Sequence, residues 1–424
     1  MSLLPIVAIG LSLWSTDTTQ SRWTLAEFLA LVESVSPELT AARERASAAQ
    51  ARVGPASRLP DPMVELGLMN RSLPRFGRSS PVAMDQIRVA QSIPTPGKLG
   101  AASSAARERA DVDEQQLGEA RRRLRWRATI DLIEIDRIDR TRPLLEGFVP
   151  ALKSLEDIAT ARYAVGQAGQ PDVIRAQLER ARFTEELVML DGDRRAAVAR
   201  LNAMALRPPE ARIDTVVLPP SPDSIPSLGA LVERSLRERP LLGARRATRQ
   251  AAGSDRHRAE LERWPDFEVA LTYGQQPMFG GAGTDRMLSL MVGATVPIWS
   301  GSRQRQLRRE AEAMERMASA DIVATEAETQ ARIGELVSDV ERAARLDSLY
   351  RKTLVPQARS AVASALASYR TGGVDFETTI SVQLAVVRSE LEVVKLSAER
   401  ARALAELEYL DAISLGANAK GGSR

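Results

Sequence analysis

The chain has 424 residues, with 58 Lys and Arg against 55 Asp and Glu, a formal net charge of +3, and 27% charged but only 4% aromatic residues. That near-balance removes the electrostatic footprint of a nucleic-acid binder, and the lack of Cys excludes disulfides, thiolate metal sites and a Cys nucleophile. The single His257 lies among arginines, reads as a solvated helix residue, and cannot build a zinc or copper centre alone.

In chain order, the first feature is "LLPIVAIGLSLW" at 3–14. It is too short to cross a bilayer as a helix. It resembles the apolar part of a secretory signal, although no Lys or Arg precedes it and no A-x-A site follows. Residues 1–22 are therefore expected to be a signal or a disordered N-terminus. A helix is expected over about 24–53, followed by strands at about 63–70 and 86–93 joined by a polar Gly/Pro-rich loop at 71–85. A very long helix runs from about 98 to 164, broken or bent near Pro143 and Pro150. At 1.5 Å per residue it would extend roughly 100 Å, more than a globular core of this size needs. A turn at Gly166 and a returning helix complete the series. The Pro-rich stretch 207–227 reads as a linker, because its prolines forbid a continuous helix.

The plan then repeats: a helix, strands at about 267–274 and 287–296 with a loop at 275–285, a long helix, a turn at Gly372 and a returning helix. "YAVGQAGQPDVIRAQLE" from Tyr163 matches "YRTGGVDFETTISVQLA" from Tyr369, and Gly166, Gln177 and Leu178 match Gly372, Gln383 and Leu384 at the same 206-residue offset. Pro150 matches Pro356 at that offset, "LPDP" (59–62) matches "WPDF" (264–267), and "QSIPTPGK" (91–98) matches "ATVPIWSG" (294–301). The expected organisation is a first repeat at 23–206, the linker, a second repeat at 228–410 and a flexible tail at 411–424. In the last returning helix, Ile380, Leu384, Val387, Leu391, Val394, Ala398, Ala401 and Ala405 follow a 4-3-4-3 spacing, a coiled-coil seam narrowing to Ala. The matching stretch of the first repeat, Ile174, Leu178, Ala181 and Val188, is less regular.

The strands alternate. Phe267, Val269, Leu271 and Tyr273 oppose Glu268, Ala270 and Thr272; Leu288, Leu290, Val292, Ala294 and Val296 oppose Met287, Ser289, Gly293 and Thr295. Val64, Leu66 and Leu68 oppose Glu65 and Gly67, and Ile87, Val89 and Ile93 oppose Arg88 and Ser92. A soluble sheet packed on one face has this period, but so does a membrane-spanning barrel. Each hairpin stands isolated in a helical chain, isolated hairpins are marginal in water, and no apolar helix is left to cover them. A sheet in lipid tolerates no open edge, so several copies must pool their hairpins, and Glu65, Arg88 and Glu268 would then face an aqueous lumen. Pro94 and Pro297 stop the strands at their junctions with the long helices, where Pro96 suits a first helical turn.

Taken together, the duplicated unit, "LPDPMVELGLMN", "QSIPTPGKLG", "VGATVPIWSG" and the paired turns at Gly166 and Gly372 resemble the TolC family of outer-membrane efflux proteins, over about residues 23–410. "LPDPM…LGLMN…QSIPTPGKL" is most similar to the heavy-metal and cation efflux (CusC/CzcC-like) branch. The resemblance implies a mainly α chain with a small β part, three copies forming a twelve-stranded β-barrel in the outer membrane of a Gram-negative bacterium and a coiled-coil α-helical tunnel through the periplasm. It implies a homotrimer that meets a periplasmic adaptor (membrane fusion) protein and an RND-type inner-membrane pump, with no catalysis, no cofactor and no nucleic acid. Tyr163, Gly166, Asp172, Tyr369, Gly372 and Asp375 would then lie at the periplasmic tip and adaptor contact. A gate would draw on Asp172, Asp375, Glu377 and Thr378, Asp172 serving equally well as a cap for its helix. Met63, Met69, Met84, Met278, Met287 and Met291 cluster in or near the hairpins; thioethers bind Cu(I), but Met is also a flexible apolar filler, and no metal site is assigned. The cargo is left open between metal cations, drugs or other organic compounds, and secreted protein. From a different class, a soluble coiled-coil scaffold would explain the helices but not the apolar hairpins.

Overall fold

The structure, a computed structural model, describes residues 22–71, 82–278 and 283–413. The expected signal at 1–21, the loop residues 72–81 and 279–282, and the tail from 414 onward lie outside the described residues.

The chain opens with β1 (Arg22–Thr24) and α1 (Leu25–Val35), started by a reciprocal capping box between Thr24 and Glu27. The single helix expected over 24–53 is divided: α2 (Pro37–Ala51) follows α1 after one residue. Proline disfavours helical backbone in the residue before it, and Ser36, at φ −63° and ψ 119°, uses its hydroxyl to cap the Leu39 N–H instead. The short α3 (Val53–Ala56) leads to β2 (Met63–Met69) and β3 (Met84–Ile93). Next come α4 (Lys98–Ala164) and α5 (Gln170–Met204), an antiparallel pair. The linker is not structureless, for it contains β4 (Thr215–Val217), paired in parallel with β1 through Trp23↔Val216. The second half repeats the order with α6 (Leu228–Glu238), α7 (Pro240–Leu261), β5 (Asp266–Pro277), β6 (Thr284–Thr295), α8 (Arg305–Leu349), α9 (Val355–Arg370) and α10 (Phe376–Tyr409). π-helical turns occupy Ser300–Gln304 and Tyr350–Leu354.

The two halves handle their matching prolines differently. No break occurs in α4, which runs continuously through Pro143 and Pro150. Each proline removes one backbone bond at a cost of about 3 kcal/mol, but Ile138, Leu145 and Leu152 around them are fully buried against Phe183 and Leu190 of α5 and Val387 of α10. Burying three such side chains contributes roughly 5–9 kcal/mol, enough to hold the helix through both sites. In the second half a π turn precedes Pro356, which then sits in the first turn of α9.

Cores form where short helices lie across long ones. Phe28, Leu29, Val32 and Leu39 pack on Leu124, Leu132, Ile135 and Leu201, and Leu231 packs on Ile333, Leu336, Val340, Leu404 and Leu407. Residues 411–413, expected in the tail, are buried, Ala412 and Ile413 within this second core. The seam expected on α10 is only partly followed: Ile380, Val387, Ala398 and Ala405 are buried, and so are Val393 and Leu396 between them. On α5 the expected seam points the other way. Ile174, Leu178 and Val188 are exposed, while Ala176, Phe183, Leu190 and Ala197 face the chain's own helices.

All four strands of the two hairpins join in one sheet of order β2-β3-β5-β6, every pair antiparallel. The expectation of isolated hairpins is corrected here: β3 pairs with β5 over nine register partners, from Asp85↔Gln275 to Ile93↔Phe267. Such long-range pairing leaves no local trace in sequence. β2 and β6 are the edges, and their outer sides pair with no strand among the described residues.

Candidate functional site

Directly opposed residues of antiparallel strands share a face, so the register fixes both faces. One carries Val64, Leu66 and Leu68, then Ile87 and Val89, then Phe267, Val269, Leu271 and Tyr273, then Leu288, Leu290, Val292 and Ala294. All of these but the half-buried Val269 are open to the outside although they are apolar, with Leu66 77% and Val292 70% exposed. Along β6 and its continuation, Leu288 to Val296 spans about 27 Å of strand before tilt, close to the ~25 Å apolar band of an outer-membrane barrel. Trp264 before β5 and Trp299 after β6 are also exposed and mark the helix-side end of the sheet, where an aromatic girdle would sit. Among the described residues no helix is long and apolar enough to cross a membrane.

The opposite face is polar, and Glu65, Arg88 and Glu268 meet on it. The Arg88 guanidinium donates to Glu65 at 2.9 Å and to Glu268 at 2.5 Å, tying three strands together. These residues were expected on one wet surface; their mutual pairing was not foreseen, because it depends on the β3–β5 register.

At the junction Pro94 and Pro96 flank Thr95, whose N–H donates to Asp266 Oδ1 at 2.8 Å and whose hydroxyl donates to the Pro265 carbonyl at 2.5 Å. Gly97, at φ +97°, starts α4 in backbone that an L residue would strain, with Leu261 3.1 Å from where a Cβ would stand. Lys98, not singled out from sequence, is buried and pairs with Asp266 at 3.0 Å and Glu262 at 3.4 Å. On the second side, Pro297 ends β6 and the π turn at Ser300–Gln304 takes the place of the Pro96–Gly97 start.

At the far end the duplicated turns are paired Schellman motifs. Gly166 at φ +73° donates to the Tyr163 carbonyl and Gln167 to the Arg162 carbonyl; Gly372 at φ +80° donates to Tyr369 and Gly373 to Ser368. The tyrosines that mark the repeat part company: Tyr163 is 48% exposed, whereas Tyr369 is 2% exposed against Phe376. Arg162, missed from sequence, accounts for the difference. Its guanidinium lies 4.6 Å from the Tyr369 ring centre and donates to the Tyr369 carbonyl at 2.5 Å and to Gln167 at 3.3 Å, so one side chain clasps both turns. Burial, with Asp172 adding and Arg162 opposing, pushes the Tyr369 phenol above its ordinary pKa.

Asp172 is half-buried in the first turn of α5, but it is not the cap: Gly169 holds that position without a side-chain bond. Asp375 is a cap, accepting from the Thr378 N–H at 2.8 Å, and the Thr378 side-chain and backbone bonds hold its carboxyl below the usual range. Glu377 pairs with Arg175, joining the starts of α10 and α5. The expected gate residues lie at the same end of the bundle; Asp375, Thr378 and Glu377 are already engaged, and Asp172 is felt by Tyr369 through its charge. Arg162 and Arg175 carry the asymmetry between the turns; their matching positions at the 206-residue offset are Ser368 and Ser381, the one trace in sequence that could have shown it. Among the described residues no group of three or more His, Asp or Glu is placed to hold a metal ion.

No protein-family model matches the sequence, and no curated protein matches it significantly. Solved structures match by fold. The outer membrane protein VceC from Vibrio cholerae is 19% identical, with TM-score 0.76 over 91% of this chain and 96% of that one. The outer-membrane channel OprN is 15% identical, with TM-score 0.75 over 92% and 89%. CusC, whose structures concern folding and transmembrane channel formation, is 11% identical, with TM-score 0.73 over 91% of each chain. At such identities the likeness establishes a shared fold, and CusC stands no nearer than VceC, so it does not single out the cation branch.

Proposed function

We propose that this chain is one protomer of a trimeric outer-membrane exit duct, the passive last stage of a tripartite efflux system. One observation carries the reading: an open four-stranded sheet, apolar and exposed on one face, polar on the other, continuous with a helix of roughly 100 Å. Lipid accepts such a sheet only when its edges are closed. Three copies joined β2 to β6 would give twelve strands around a water-filled lumen, with Glu65, Arg88 and Glu268 inside. The repeats at 23–206 and 228–410 would supply equivalent staves, and the exposed Ile174, Leu178 and Val188 of α5 would meet a neighbouring protomer. The turns at Gly166 and Gly372 would ring the periplasmic mouth, where Tyr163, Asp172 and Asp375 are offered to a periplasmic adaptor and its inner-membrane pump, and where Glu377 and Thr378 belong to the closed cluster. Heavy-metal cations are the cargo class we favour, since beyond Asp266, which Lys98 neutralises, the polar face carries three carboxylates, Glu65, Glu268 and Asp285, against the guanidinium of Arg88.

The chain has no native Cys, so introduced pairs report without background. Cys residues placed along β2 and β6, one in each strand, are expected to cross-link protomers into a ladder ending at the trimer, in detergent and in membranes. A monodisperse, unlinked monomer in buffer without detergent would overturn the duct and favour the scaffold.

A further inference from the structure

The described strands carry five methionines: Met63 and Met69 in β2, Met84 in β3, and Met287 and Met291 in β6. An apolar side chain belongs with Val64, Leu66 and Leu290 on the greasy face. The register puts all five thioethers on the other face, among Glu65, Gln86, Arg88, Glu268 and Ser289. Packing does not account for this, for Met63 and Met291 are each 50% exposed, Met69 45% and Met287 40%.

Three of the five gather at the loop end of the sheet. Met69 and Met84 are direct cross-strand partners. The next strand carries Gly274, and the Met84 sulfur lies 3.4 Å from where a Gly274 Cβ would stand. Met287 is the direct partner of Gly274 on the far side. A side chain at 274 would fence Met84 from Met287; glycine lets the Met84 thioether lie across β5 toward it. Thioethers are neutral, soft donors that select Cu(I)-like ions over Mg²⁺ or Ca²⁺, and the carboxylates of the same face add an attraction for cations without offering a hard-ion cage.

We infer that Met69, Met84 and Met287 form a binding site for soft monovalent cations, Cu(I) or Ag(I), on the polar face of the sheet. The site is open and built of weak donors, as passage requires, since an ion held tightly would block the path it travels. The inference rests on the duct reading only for the statement that this face lines a lumen; the site itself stands on the strand register.

The probe is silver nitrate in chloride-free buffer, added to the purified full-length assembly in detergent and followed by calorimetric titration and silver X-ray absorption. The assembly is expected to take up Ag(I) with sulfur neighbours. The triple substitution Met69→Leu, Met84→Leu, Met287→Leu should abolish that uptake, Gly274→Ala should weaken it, and Met314→Leu with Met317→Leu on α8 should leave it unchanged. No uptake by the native protein, oxygen-only coordination, or undiminished uptake by an assembled triple variant would overturn the site. In a strain lacking the chain, complementation is scored against silver and, separately, an organic dye. Native protein that binds Ag(I) but protects against neither condemns the duct reading and leaves the site; protection against either without sulfur-bound Ag(I) condemns the site and leaves the duct.

Discussion

At φ +73° and +80°, Gly166 and Gly372 hold backbone that costs an L residue about 1–2 kcal/mol. The two other long returning helices end in the same hydrogen-bond pattern without glycine: Leu206 stands at φ +53° after α5 and Asp411 at φ +58° after α10. Asp411 adds a second cost, because it is buried beside Arg122 at 2.7 Å. Burial outweighs Arg122, Glu119 and Glu238 add repulsion, and its pKa rises from 3.8 to about 6. The folded chain therefore holds this proton more tightly than the unfolded chain. The stability so gained is complete below the unfolded value, is lost as pH climbs through about 6, and stays lost above it. Asp411→Asn keeps the shape, tolerates the left-handed backbone and removes the titration. We expect the variant to melt with the native protein at pH 4 and above it at pH 7, by at most about 3 kcal/mol. A gap that is equal at the two pH values would show that burial does not govern this carboxyl.

Among the elements, α4 and α5 separate what holds a protomer from what would hold the assembly. Leu152 is fully buried with Leu145, Phe183 and Leu190, so Leu152→Ala should destabilise the helical bundle by about 2–5 kcal/mol in denaturant unfolding. Leu178 lies 49% exposed on the outer side of α5, so Leu178→Ala should leave bundle unfolding nearly unchanged while raising the protein concentration below which trimers dissociate on dilution. Loss of stability without loss of trimer would mean that this stripe faces solvent. These helices also mark where sequence was readable. The Tyr-x-x-Gly turns, the strand positions and the alternation of Val64 to Leu68 were legible because each rests on local backbone or a period of two. The continuity of α4 through Pro143 and Pro150 was not, since tertiary burial overrides the local rule. Nor was the direction of the α5 stripe, because one apolar face of a helix does not say whether its partner lies in the same chain. Lys98, Arg162 and Arg175 were missed for a related reason: each acts across more than 160 residues of sequence, on Asp266, Tyr369 and Glu377.

At the scale of the whole molecule the decisive feature is that one sheet presents lipid-like and water-like faces on alternate residues of the same strand. β6 is the sharpest case, since Val292 lies on the apolar face and Ser289, three residues before it, on the polar face. A soluble sheet would ask only that one side be covered, and a charge on the already exposed Val292 would cost little. A barrel in lipid makes the two positions opposites. There, Val292→Lys should cost about 2–4 kcal/mol near the bilayer midplane, seen as a lower fraction of heat-resistant trimer recovered from outer membranes. Ser289→Lys should assemble normally, because its ammonium would stand in water on the polar face, on the edge strand opposite Thr272, and should instead shift single-channel selectivity away from cations, since it offsets part of the negative charge of that face. Equal assembly of the two variants would place both faces in water, and with that the sheet would no longer need sister protomers to close it.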